Sequence, residues 1–107
     1  MNLTLAELTG LVAEVSDTYA SRNDIARDDD WYLLKVQEEL GELTAEYLKT
    51  TGRGRLKGAD GASIRQALED ETADVLAMLL LFARNNRIDL DAALERKWFQ
   101  YLGRSPR

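Results

Sequence analysis

The sequence predicts an all-α fold, a bundle of four main helices in one domain spanning residues 1–107. Three observations predict it. Apolar residues recur every three to four positions through most of the chain, which is the spacing of one helix face. A single Pro leaves room for long uninterrupted helices. No stretch alternates apolar and polar residues as a half-buried strand would, and there is no internal repeat or low-complexity tract. At this length two independent cores would each be too small to stand alone.

The first helix is expected over residues 5–22. Thr4 followed by Glu7 has the spacing of a capping box. Leu5, Leu8, Leu11, Val12, Val15 and Tyr19 then supply the apolar positions. Residues 23–30 are polar and acidic, and Asp28, Asp29 and Asp30 are candidate caps and first-turn anions for the next helix. That second helix is expected over residues 31–51, with Leu33, Leu34, Val36, Leu40, Leu43, Tyr47 and Leu48 as its apolar set. The next stretch, Gly52-Arg-Gly-Arg-Leu-Lys-Gly-Ala-Asp-Gly, holds four glycines and three cations without periodicity, the signature of a mobile loop. Ser63 with Gln66 offers a second capping box for a helix over residues 64–86. Ile88 and Asp89 read as a short turn with Asp89 as cap. A last helix is expected over residues 90–102, with Gly103 as its stop and Pro106 beyond it.

The third helix stands apart. Residues 75–83 (Val-Leu-Ala-Met-Leu-Leu-Leu-Phe-Ala) are apolar on every side. A helix apolar all round is buried all round. Three short neighbours hardly cover it, so the expectation is a homo-oligomer, a homodimer or homotetramer, whose second subunit completes the cover. The competing reading is the central helix of a monomeric bundle.

Composition excludes several kinds of chemistry. The formal charge is −5 and the pI about 4.7. An acidic chain lacks the basic face on which sequence-independent nucleic-acid binding rests, so no stable nucleic-acid partner is expected. With no Cys and no His, there is no thiol nucleophile, Ser-His-Asp triad, thiolate zinc site or imidazole base. Carboxylate, Lys, Arg, Tyr and metal-bound water remain. No basic-then-apolar leader follows Met1, and the longest apolar run is too short to cross a bilayer. A soluble, cytoplasmic protein with no membrane partner is the expectation.

The residues that speak to function are acidic. Glu38-Glu39-x-x-Glu42 lies in the second helix and Glu71-x-x-Asp74 in the third. Carboxylates three or four residues apart share one helix face. Two such faces brought together hold like charges that need a cation or bound protons. Oxygen donors of this kind suit Mg²⁺ or Mn²⁺. Glu46 continues the first row, and Asp70 lies one turn before Asp74. The bland alternative is a solvated acidic face, since most charged helical residues are no more than that. Two features weigh against it: the motifs adjoin the chain's most apolar segments, and cations are sparse between Gln37 and Glu46. Lys35 is placed to pair with Glu39, which offers that one residue a structural role.

The paired pattern, Glu-Glu-x-x-Glu followed after a 28-residue spacer by Glu-x-x-Asp, resembles the signature of the all-α nucleoside triphosphate pyrophosphohydrolases, the MazG-like superfamily. The likeness runs from about Trp31 to Leu102. It implies an all-helical fold assembling as a dimer or a dimer of dimers. It implies Mg²⁺-dependent cleavage of a nucleoside triphosphate, NTP or dNTP, to the monophosphate and pyrophosphate by metal-activated water. By the same resemblance Glu39, Glu42, Glu71 and Asp74 are metal ligands, and Glu38 acts beside them or on an additional ion. The alternatives are phosphoribosyl-ATP as substrate, or a non-catalytic helical adaptor that keeps the fold.

Cations supply candidate phosphate contacts. Arg53, Arg55 and Lys57 lie in the glycine-rich loop, where they serve either as a clamp closing over the triphosphate or as solubility charge. Lys35 and Lys97 are further candidates for a β- or γ-phosphate. Arg84 and Arg87, near a helix end, read as compensating the helix dipole. Trp31 and Trp98 could stack a base, but at helix ends they read better as core or interface aromatics.

Overall fold

The computed structural model describes residues 2–103. Among them lie four α-helices, one closing 3₁₀ turn and no strand. Helix α1 spans Leu5–Arg22, α2 Asp29–Thr50, α3 Gly61–Asn85 and α4 Leu90–Lys97, and the 3₁₀ turn spans Phe99–Leu102. Pro106, expected beyond the last helix, lies outside the described residues.

Local chemistry sets the helix starts. The capping box at α1 is complete: the Glu7 N–H donates to Thr4 Oγ1 at 3.1 Å, and the Thr4 N–H donates to Glu7 Oε1 at 3.0 Å. The Thr4 N–H most of all, and then the Thr4 hydroxyl, hold the Glu7 carboxyl below its ordinary value. Asp28 caps α2 by accepting from the Trp31 N–H at 2.8 Å, so α2 begins two residues before Trp31. At α3 the expected start needs correction. The cap is Asp60, which accepts from the Ser63 N–H at 2.8 Å. Ser63 is therefore the third helical residue and not the cap; the stronger Asp acceptor, three residues upstream, takes the first turn back to Gly61. Asp89 caps α4 as expected.

Helix ends are set by the turns. Past Thr51 the chain reverses on Gly52, at φ +76°, while the Gly52 N–H bonds to the Lys49 carbonyl and the Arg53 N–H to the Leu48 carbonyl. This left-handed closure is what glycine permits cheaply. Gly54 is needed for a different reason, because a Cβ there would lie 3.0 Å from the Lys49 backbone nitrogen. The first residues of the glycine-rich loop are thus folded back onto the end of α2. The last expected helix is divided: its α-helical part stops at Lys97, Trp98 is stretched to φ −117° within the right-handed α region, and Phe99–Leu102 tightens to 3₁₀ before Gly103 at φ +71°.

Helices α2 and α3 form the main pair, and α1 packs on α3. The register of α2 against α3 is antiparallel. At one end Asn85 donates to Asp29 at 3.1 Å, and further along Glu39 meets Glu71 and Asp74. The core sits where the three helices meet. Ala13, Tyr32 and Leu81 are buried there, with Val12, Trp31, Met78 and Phe82 packed around them. Leu80 and Leu81 each retain 2% of their surface, worth roughly 1.5–3 kcal/mol apiece in transfer free energy. Arg27, in the turn before α2, ties that turn to α1 through Asp17 at 2.9 Å and Ser16 at 2.8 Å, and lies 6.0 Å from the Tyr32 ring centroid.

The apolar run of α3 is buried on one side only. Leu80, Leu81 and Ala83 are enclosed, whereas Leu76 and Leu79 remain 47% and 43% exposed within the single chain. No helix among the described residues is long and apolar enough to cross a membrane.

Candidate metal centre

The antiparallel register that buries Leu81 also decides which carboxylates meet. Glu38, Glu39 and Glu42 share a face of α2 by their three- and four-residue spacing, and Glu71 and Asp74 share a face of α3. Two overlapping groups result. One oxygen from each of Glu38, Glu39 and Glu42 lies within 4.8 Å of the others, and so does one from each of Glu39, Glu71 and Asp74. Glu39 belongs to both and joins the two helices. The five expected carboxylates thus fall into two threes that share Glu39, and Glu42 groups with Glu38 and Glu39 and not with Glu71 and Asp74.

Burial separates their roles. Glu39 and Glu71 sit at the helix seam, and Glu38, Glu42 and Asp74 are on its exposed margin. Although each seam residue keeps some exposed surface, Glu39 Oε2 and Glu71 Oε2 are cut off from solvent and have no hydrogen-bond partner. A buried acceptor without a donor costs about 1–3 kcal/mol, more when it is charged. Both carboxyls are raised above their ordinary value, and through a shared proton each counts the other among its hydrogen-bond partners. Desolvation, followed by the charges of Glu42 and Asp74, pushes Glu71 up to about 7 from 4.5. Desolvation is also the main cause that raises Glu39, with Glu42 and Asp74 again adding to it.

The cations are distributed less evenly. Lys35 does not pair with Glu39; its ammonium donates to Glu38 Oε2 at 3.0 Å, one turn along the exposed side. That bond, with the charges of Glu39 and Glu42 behind it, raises the Lys35 ammonium above its ordinary value, against some desolvation. Lys35 also lies 5.8 Å from the Trp31 ring centroid, and Trp31 packs against the core. Glu46 leaves the acidic row, because Lys49 takes it as a partner at 2.9 Å. That pair was visible in the sequence at three-residue spacing but was not part of the expected constellation. Arg53 donates to Thr51 Oγ1 at 2.9 Å, beside the end of α2. Arg55 and Lys57 come next in the same loop, with Lys57 at φ +51°. By helical rise the loop stands roughly 12–15 Å along the bundle from the nearest carboxylates, Glu42 and Glu71. Lys97 lies in the last turn of α4, and Arg84 closes α3 with its guanidinium 4.0 Å from Asp17.

Three carboxylates around one point, whose inner oxygens meet no donor other than a proton shared among the carboxyls themselves, form a donor set suited to a hard divalent cation. Oxygens sharing one Mg²⁺ at 2.0–2.1 Å stand no more than about 4.2 Å apart. Within each group here the oxygens lie within 4.8 Å of one another. The unpartnered oxygens of Glu39 and Glu71 are the atoms that such an ion would satisfy.

No protein-family model matches the chain, and no curated protein matches it significantly.

Proposed function

We propose that this protein is a Mg²⁺-dependent nucleoside triphosphate pyrophosphohydrolase of the MazG-like kind, acting as a homodimer or homotetramer. Its reaction cleaves an NTP or dNTP between the α- and β-phosphates, giving the monophosphate and pyrophosphate. The observation that carries the reading is the pair of carboxylate groups joined at Glu39, with Oε2 of Glu39 and of Glu71 buried and unpartnered. The motif pair in the sequence supplies the reaction class. Exposed Leu76 and Leu79 support the oligomer.

In this reading Glu39, Glu42, Glu71 and Asp74 hold Mg²⁺, and Mn²⁺ can substitute. The bound ion neutralises phosphate charge and lowers the pKa of water. The remaining work falls to the chain. Glu38, exposed and oriented by Lys35, accepts the proton that water gives up as it attacks the α-phosphorus. The Lys35 ammonium offers charge to a phosphate oxygen. Arg53, Arg55 and Lys57 close from the neighbouring end of the helix pair onto the outer phosphates, with Lys97 available from a second copy.

The test is pyrophosphate release from a panel of standard and modified nucleoside triphosphates and phosphoribosyl-ATP, with Mg²⁺ or with EDTA. Mg²⁺-dependent release from at least one nucleoside triphosphate is expected. Release that ignores EDTA, or none from any nucleoside triphosphate in folded protein that binds Mg²⁺, overturns the reading.

A further inference from the structure

We infer that the C-terminal arm, α4 with the 3₁₀ turn, docks on a second copy of this chain. The inference rests on the oligomeric part of the proposed function, which it deepens by naming the surface, and it does not depend on the catalytic part.

The arm folds on itself and touches the three-helix body only sparingly. Yet its side chains are those of an interface. Trp98 is 66% and Tyr101 80% exposed, and Leu94, Phe99 and Leu102 are also uncovered. Aromatic residues bury a large area at low entropic cost and dominate the energetics of protein interfaces. The arm's departure is fixed and not slack. Its connector is hydrogen-bonded from the Asn86 N–H to the Phe82 carbonyl, from the Arg87 N–H to the Arg84 carbonyl and from the Ile88 N–H to the Ala83 carbonyl, and Asp89 then caps α4. Only the start of the arm, Leu90 and Asp91, borders a groove with α1 and α3.

Size says how much cover is missing. A compact monomer of 12.1 kDa exposes about 6,000 Å², whereas this chain exposes 8302 Å². Its radius of gyration is 16.7 Å, against about 13 Å for a compact chain of this length. The excess of about 2,000 Å² per chain is what an obligate homodimer buries, since such interfaces run to 2,000–5,000 Å² in total. The complementary surface is present on the same molecule. On α2, Leu33, Leu40 and Tyr47 stand seven residues apart and half-exposed, the spacing of a coiled-coil seam. On α1, Leu11, Val15 and Tyr19 form a second uncovered row. A two-fold axis lets each copy give one arm and receive one. The arm carries Asp91 and Glu95 against Arg96 and Lys97, so an acidic copy does not repel it. It also lacks the basic face that would favour a lipid surface.

The test is sedimentation equilibrium of the full chain, with the two tryptophans replaced biosynthetically by 5-fluorotryptophan and the Trp98 ¹⁹F resonance assigned by Trp98→Phe. Expected are a mass of at least twice the monomer, a Trp98 resonance that moves as dilution dissociates the assembly, and a dissociation constant raised at least 100-fold by Trp98→Asp with Tyr101→Asp at unchanged helicity. A monomer at every concentration overturns the inference, whether Trp98 is solvent-exposed, folded back or bound to lipid vesicles. So does an oligomer in which dilution leaves the Trp98 resonance in place, or whose dissociation constant the folded double variant leaves unchanged. Should that variant not fold, the dilution series on the native sequence decides alone. None of these readings uses turnover, so failure here is distinct from failure of the pyrophosphohydrolase reading.

Discussion

Replacing Glu71 by Gln should stabilise the metal-free protein at pH 8 while removing its response to Mg²⁺. Glu71 is held at about 7 where its ordinary value is 4.5. A carboxyl displaced upward by that much disfavours its charged form by about 3 kcal/mol, at about 1.4 kcal/mol per tenfold. Glu71 keeps some contact with water, and solvent screening reduces the figure to roughly 2 kcal/mol. Proton counting gives the sign. Below pH 4.5 the carboxyl is protonated in folded and unfolded chains alike, and no penalty exists. Between 4.5 and 7 the folded state binds more protons than the unfolded, so stability falls as pH rises. Above 7 the full penalty applies. An amide at position 71 carries no charge to desolvate, and its NH₂ can donate to the unpartnered oxygen of Glu39.

The assay is thermal unfolding at fixed protein concentration in EDTA, at pH 4.5, 6 and 8, then the same series with Mg²⁺. Glu71→Gln should melt higher than the parent at pH 8 by on the order of 8 °C, using ~4–8 °C per kcal/mol for a domain of this size. The gap should narrow at pH 6 and close near pH 4.5. Mg²⁺ should raise the parent at pH 8, because a ligand bound only by the native state stabilises it, and should do little for the variant. Two results would refute the reasoning: a variant no more stable than the parent at pH 8 in EDTA, or a gap that ignores pH.

Three further outcomes are expected. Glu42→Gln and Asp74→Asn should each abolish Mg²⁺-dependent turnover and leave helicity and assembly mass intact; wild-type pyrophosphate release by either would move the site elsewhere. Arg53→Ala with Arg55→Ala should raise KM before it lowers kcat, and unchanged steady-state kinetics would return both to surface charge. Leu81→Ala, at a position 2% exposed, should cost about 2–5 kcal/mol in urea unfolding, whereas a loss below about 1 kcal/mol would mean that the core lies elsewhere.

The helices were legible because their signals are local. Thr4 with Glu7, Asp28 before the second apolar row and Asp89 before Leu90 each fix a start through bonds spanning three residues, and all three appear in the structure. Ser63 misled because it matched the spacing of a cap while Asp60 competed from upstream, and spacing alone does not rank acceptors. Lys35 misled for a similar reason: a helical lysine reaches both i+3 and i+4, and the seam position of Glu39 decided for Glu38. The division at Trp98 was not legible, because neither Trp nor Phe is a helix breaker. That residues 75–83 would be covered on one side only depended on how α1 and α4 leave α3, which apolar periodicity does not record. The acidic motifs were legible as two helical faces. Their meeting was implied only by the family resemblance, because local spacing does not record which turn of α2 lies opposite which turn of α3.

That pairing has a consequence for why the carboxylates stand where they do. A merely solvated acidic face would place its oxygens in water, where like charges are screened and no acceptor goes unpaired. Here the long-range register, held at one end by Asn85 on Asp29 and in the core by Tyr32 against Leu81, carries Glu39 and Glu71 into the seam instead. Leu or Met at both positions would extend the apolar packing and remove two buried acceptors at once, so stability alone selects against the pair. Groups that break a local packing rule without a compensating contact inside the fold mark the places where function and stability conflict. The conflict is confined to one turn of each helix, since no other buried side-chain nitrogen or oxygen among the described residues lacks a partner. Under the proposed function a divalent cation would reverse the sign of that local balance by giving the repelling carboxylates a shared counter-charge, and the Mg²⁺ dependence of the melting series at pH 8 tests that reversal directly.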